Sequence, residues 1–113
     1  MSSHTMVWVH PLDGEALDVA SVRVLLVGYL DESGLSHDTL TSLSEACASA
    51  LPASSPTLFF LNSWMLIEVF GMLASFLPHA SFAVRGVGEE HRDIWVREYA
   101  DGVVTFEAGP FHD

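Results

Sequence analysis

The sequence contains no lysine, and its four arginines stand against fifteen aspartates and glutamates. At a formal net charge of −11 it can form no basic face, which excludes direct binding of DNA, RNA or an anionic membrane through cation–phosphate contacts. A single cysteine, Cys47, excludes an intramolecular disulfide framework and suits a reducing compartment. The opening stretch MSSHTMVWVH has no basic segment followed by an apolar run, so no signal peptide is expected. Internal repeats and low-complexity tracts are also missing. What is present is apolar: 50% of 113 residues, enough to bury a core. The expectation is one acidic domain over residues 1–113, soluble and cytoplasmic.

The pattern along the chain predicts one strand, three helices and then strands. Met6 to His10 is β-branched and aromatic and is stopped by Pro11 and Asp13-Gly14. Val19, Val22, Leu25, Leu26, Tyr29 and Leu30 follow helical spacing, with Asp18 as N-cap and Gly34 as the C-terminal stop. The same stretch, rich in valine, is also compatible with a buried strand. Ser36 caps a second helix to about Leu51, with Leu40, Leu43, Cys47 and Ala50 on its core side and Ser44, Glu45 and Ser49 facing away. Pro52 to Pro56 reads as a connection. Thr57 to Leu77 is apolar enough to suggest a membrane span, but Glu68 near its middle would cost about 2.5–3.5 kcal/mol on insertion and no Lys or Arg flanks it. It reads instead as a strand over Leu58–Leu61 and a core helix from Ser63 to Leu77, stopped by Pro78.

Ser81–Val87 is a further strand, and Asp93–Tyr99 and Val103–Glu107 flank Asp101-Gly102, a type I′ hairpin signal. Extended from that turn, the register pairs Ala100 with Val103, Glu98 with Thr105 and Val96 with Glu107. Trp95, Tyr99, Val104 and Phe106 then face the helices, and Ile94, Val96, Glu98, Thr105 and Glu107 face outward. The expected fold is α+β, with two to three helices on one face of a small, mainly antiparallel sheet ending in a hairpin.

Chemistry-bearing motifs are sparse. The histidines, His4, His10, His37, His79, His91 and His112, show neither His-Glu-x-x-His nor helical i, i+4 spacing. Glu89-Glu90-His91-Arg92-Asp93 is the most metal-like cluster and reads as a solvated loop, with Arg92 working against a cation. Cys47 sits on an apolar helix face, no Gly-x-Ser-x-Gly elbow presents a serine, and Gly86-Val87-Gly88 is followed by two glutamates that would repel phosphate. No catalytic residue, cofactor or metal is therefore expected, although a small enzyme with a carboxylate or histidine site is one reading.

The stretch Gly34 to Ala50, GLSHDTLTSLSEACASA, resembles the start of the anti-sigma-factor serine kinases. Their Ser-Glu-Ala-Cys-x-Asn-Ala box supplies a glutamate, matched by Glu45, and a magnesium-binding asparagine, which is Ser49 here. Their later Asp-x-Gly-x-Gly box is missing. The resemblance implies at most a partner-switching regulatory domain without ATP chemistry.

The acidic residues carry most of the functional signal. Asp31 and Glu32 fall at the C-terminal end of the first helix, where the macrodipole disfavours anions by about 0.3–1 kcal/mol each. Arg23 is the only basic residue before Arg85. Charges held against local preference point to a partner supplying the cations. Two ridges are predicted: Asp31, Glu32 and Asp38 across the turn Ser33–Ser36, and Glu89, Glu90 and Asp93 with Glu98 and Glu107 around the hairpin. The reading they favour is a small acidic inhibitor that docks on the basic, nucleic-acid-binding surface of a partner, carboxylates standing in for phosphates. Small phage anti-restriction and anti-CRISPR proteins, and immunity proteins that block nucleases, work in this way.

Overall fold

The structure, a computed structural model, describes residues 4–48, 55–90 and 93–110. Its elements are β1 (Thr5–Pro11), a 3₁₀ turn (Val19–Val22), α1 (Arg23–Ser33), α2 (Asp38–Ala46), β2 (Thr57–Phe59), α3 (Ser63–Phe76), β3 (Phe82–Val87), β4 (Ile94–Ala100) and β5 (Val103–Ala108). The strands form one sheet of order β2-β1-β3-β4-β5, antiparallel at every pairing. The fold is α+β, as the sequence pattern predicts.

Residues 19–33 are helical rather than a strand, though in two pieces. Asp18 Oδ1 accepts from the backbone N–H of Ser21 at 3.2 Å and so caps the 3₁₀ turn, and α1 begins only at Arg23. Gly34 ends α1 with φ of 70°, a left-handed conformation that suits a residue without Cβ. Splitting the helix rotates its face: Val19, Val22, Leu26 and Leu30 are buried, but Leu25 is 54% exposed, against expectation. The second helix stops at Ala46, short of the expected Leu51; Leu51, Ser49 and Ala50, like Pro52–Ser54 of the connection, lie outside the described residues. Leu40, Leu43 and Cys47 are buried as expected. In α3, Asn62 Oδ1 accepts from Met65 N–H at 2.9 Å, and Leu66, Val69, Phe70 and Leu73 at i, i+3, i+4, i+7 are fully buried. Each such side chain contributes about 1.5–3 kcal/mol relative to exposure. Glu68 faces solvent, and no helix among the described residues is long and apolar enough to cross a membrane.

Side chains alternate across the sheet. Toward the helices, Thr57, Val7, Gly86 and Trp95 form one row, and Pro11, Phe82, Tyr99 and Val104 another; Tyr99 stacks on Phe82 at 5.0 Å between centroids. Between them runs Val9, Val84, Arg97 and Glu107. Helix α3 packs on β3, β4 and β5, and α2 on β1 and β2. On the opposite face the rows are Leu58–Met6–Val87–Ile94, then Trp8–Arg85–Val96–Ala108, then His10–Ala83–Glu98–Phe106. Among the described residues no helix covers that face.

The hairpin turn is as predicted, with φ of 53° at Asp101 and 78° at Gly102, but the register beyond it is not. A bulge between Tyr99 and Glu98 pairs Tyr99 with Val104 and Glu98 with Phe106, so Thr105 is the extra residue. The slip moves Phe106 to the uncovered face, where it is 50% exposed, and moves Glu107 to the side of Arg97. Trp95 and Tyr99 are buried as expected, whereas Val104 on the edge strand remains exposed.

Burial pushes both the Cys47 thiol and the Tyr99 phenol up to about 12; for Tyr99 the neighbouring Arg97 opposes the rise and Glu107 adds to it. Both groups ionise earlier in the unfolded chain, from ordinary values of 9.0 and 10.0, so stability is retained below pH 9 and falls as pH rises toward 12. Each group should steepen the fall by about 1 kcal/mol per pH unit within its window. Denaturant titrations between pH 8 and 11 should show this slope, and Cys47→Ala should remove part of it. An unchanged slope in that variant would exclude Cys47 as a source. The same burial should leave the Cys47 thiol unreactive toward disulfide reagents until the protein unfolds.

Candidate partner-binding surface

The strand registers bring four chain segments to one end of the sheet. Thr5 pairs with Phe59, Met6 with Val87, and Val87 with Ile94, so the start of β1, the end of β2 and the β3–β4 connection lie together. Thr5 Oγ–H, buried, donates to Leu61 O at 2.8 Å and ties β1 to the turn before α3. His4 N–H donates to Glu89 Oε1 at 2.7 Å and ties it to the β3–β4 connection. The start of α2 belongs to the same end: Asp38, Thr39, Phe59, Phe60 and Leu61 line one cavity of about 220 Å³.

Asp31 Oδ1 lies 2.7 Å from His37 Nε2 across the turn between α1 and α2. A carboxylate only accepts, so the histidine carries a hydrogen on Nε2. That bond closes the turn between α1 and α2, and Glu32 and Asp38, which follow its two partners in sequence, are exposed. Ser36 Oγ accepts from Asp38 N–H at 3.1 Å, which shapes the entry to α2.

The second ridge forms only in part. In the β3–β4 connection Gly88 N–H donates to Asp93 O at 2.7 Å and Asp93 N–H to Glu90 O at 3.0 Å, leaving Glu89 and Glu90 exposed and Asp93 half-buried. Residues 91 and 92, and His112, lie outside the described residues. Glu98 and Glu107, expected side by side, are on opposite faces because of the bulge. Glu98 stands opposite Phe106 on the uncovered face; Glu107 lies 3.7 Å from Arg97 Nε. The topology thus joins Asp31, Glu32 and Asp38 with Glu89, Glu90 and Asp93 at one end, without Glu98 and Glu107.

Two features had no place in the sequence reading. Phe60, which shares a cavity with Asp38, is 73% exposed. The uncovered sheet face is mostly apolar, where an antiparallel sheet ordinarily turns polar residues outward. There the Arg85 guanidinium lies 4.8 Å from the centre of the Trp8 ring. The sequence signal for this was present: Met6 and Trp8 are as apolar as Val7 and Val9, so β1 reads apolar on both faces.

Elsewhere a cavity of about 260 Å³ between the β1–α1 connection and the end of α3 has Asp13, Glu15, Asp18 and His79 on its lining. Asp13 accepts from Glu15 N–H at 3.1 Å and from Ser81 N–H at 3.4 Å, and Asp18 caps the 3₁₀ turn, so these two carboxylates hold loops together. No group of three or more His, Cys, Asp or Glu among the described residues is arranged to hold a metal ion. Glu45, the match to the kinase box, is exposed on α2. No family model, curated protein or solved structure matches the chain.

Proposed function

We propose that the protein is a small acidic inhibitor that docks this end on the basic, nucleic-acid-binding surface of a partner protein. The observation supporting it is that the strand registers bring the β3–β4 connection, with Glu89, Glu90 and Asp93, to the same end of the sheet as the start of α2, where Asp38 shares a cavity with exposed Phe60. Exposed carboxylates offer Arg and Lys the anionic acceptors that a phosphate backbone offers. Phe60 supplies the apolar anchor that interfaces of this kind centre on. Such a partner is met in the cytoplasm, that of the host if the chain is phage-encoded.

The test is charge reversal at both halves of the end, with Glu32→Lys plus Asp38→Lys, and Glu89→Lys plus Glu90→Lys. Each pair should weaken capture of nucleic-acid-binding proteins, and the competition with their DNA or RNA, by about tenfold or more. The difference from the parent protein should shrink as salt rises, because exposed charges are screened beyond about 10 Å at 0.1 M. If both double reversals leave capture and competition intact, the acidity serves solubility and the proposal fails.

A further inference from the structure

The uncovered face of the sheet differs from the rest of the surface in charge. Its three cross-strand rows carry one arginine, one glutamate and one histidine, while the acidic clusters lie in the connections at the ends of the strands and on the helical layer. Leu58, Met6, Val87 and Ile94 run in register across four strands without a polar interruption. Exposed apolar surface of this continuity marks an interaction site. A basic partner would gain nothing from it, since its centre is Arg85.

The charges on this face complement each other. Arg85 pairs across the strands with Val96, and Glu98 lies two residues further along β4, so the two are diagonal neighbours. Among the described residues no ion pair joins them; the guanidinium is held over Trp8 instead. A two-fold axis lying between two facing copies, midway between these residues, sets each Arg85 over the other copy's Glu98. It does so twice, as an isologous contact requires.

We infer that a second copy of this chain covers the face, sheet against sheet, with apolar rows in contact and two reciprocal Arg85–Glu98 pairs setting the alignment. Two sheets packed in this way lie about 10 Å apart, with their strands near −30° or near 90°. The contact uses a surface whose cross-strand rows carry one arginine, one glutamate and one histidine, so a chain of net charge −11 meets its own copy there with little like-charge opposition. It rests on other residues than the partner docking proposed above, although its row Leu58–Met6–Val87–Ile94 borders the acidic end.

Sedimentation velocity of the full chain from about 10 μM to about 1 mM should show the mass doubling with concentration. Arg85→Glu alone and Glu98→Arg alone should each raise the dissociation constant by about tenfold or more, since like charges then face each other. The double swap, Arg85→Glu with Glu98→Arg, should restore association. Circular dichroism establishes that each variant is folded, and Ile94→Lys, at an exposed position in the apolar row, should abolish the dimer without touching the pair. A chain that stays monomeric across the range, single reversals that associate as the parent does, or a double swap that fails to restore the dimer would each overturn the inference.

Discussion

Arg97→Ala is expected to lower stability by about 3–5 kcal/mol and to loosen the C-terminal edge of the sheet first. Arg97 is 4% exposed, and its Nη1–H donates to Val96 O at 2.9 Å and Ala108 O at 3.1 Å while Nη2–H donates to Gly109 O at 2.8 Å. The guanidinium therefore holds the end of β5 beyond the bulge, where ladder pairing is interrupted. Its removal takes the guanidinium donor from the carbonyls of Val96, Ala108 and Gly109 and leaves a cavity in the helix-facing row between Trp95 and Tyr99. Glu107 contributes little, because its side chain is 69% exposed and 3.7 Å away. Glu107→Gln should accordingly change stability by less than about 1 kcal/mol. Arg97→Lys should recover only part of the loss, since one ammonium cannot reproduce the fork. Denaturant unfolding checks the magnitude, and hydrogen exchange checks the location: amides of Val103–Ala108 should exchange faster than those of β3. A loss below about 1 kcal/mol with unchanged protection would show that the edge holds without the clamp.

Trp95→Ala should cost about 3–5 kcal/mol, and Gly86→Ala about 1–3 kcal/mol, but the two costs should not add. Gly86 and Trp95 are cross-strand partners on the helix-facing side, and a Cβ built on Gly86 would lie within the Trp95 indole. With the indole gone the added methyl meets no obstacle, so Gly86→Ala should be close to neutral in the Trp95→Ala background. Trp95→Phe should be milder than Trp95→Ala, because the buried indole N–H has no hydrogen-bond partner to lose. Thermal unfolding of the four members of the cycle decides the matter. Additive costs would mean that the glycine serves backbone conformation and not the close approach of the ring.

Most elements of the fold were legible because their signals are local. Asn62 before an apolar run, Gly34 after one, and Asp101-Gly102 between β-rich stretches each specify a boundary through a few dihedral angles and one or two hydrogen bonds. The failures occurred where a neighbour distant in sequence intervened. The hairpin register, extrapolated from the turn, missed the bulge at Thr105 and so placed Phe106 and Glu107 on the wrong faces. Nothing in Val103–Glu107 marks that residue; the carbonyls held by Arg97 lie beyond it, at Ala108 and Gly109. Leu25 looked like core by period alone, and a 3₁₀ turn in place of the first helical turn rotated it into solvent.

By composition and pattern alone, the chain had to be acidic, incapable of presenting a basic face, and built from helices on an antiparallel sheet. Charge and period are sums over residues and need no knowledge of contacts. Which carboxylates meet depended on the sheet order β2-β1-β3-β4-β5, which places His4 and Glu89, 85 positions apart, in one hydrogen bond. The same order left one face of the sheet mostly apolar and, among the described residues, uncovered, since α2 and α3 pack on the other and α1 packs on α2. Only tertiary structure assigns a neighbour to each face, because strands such as β1, apolar on both sides, bury either face equally well in isolation.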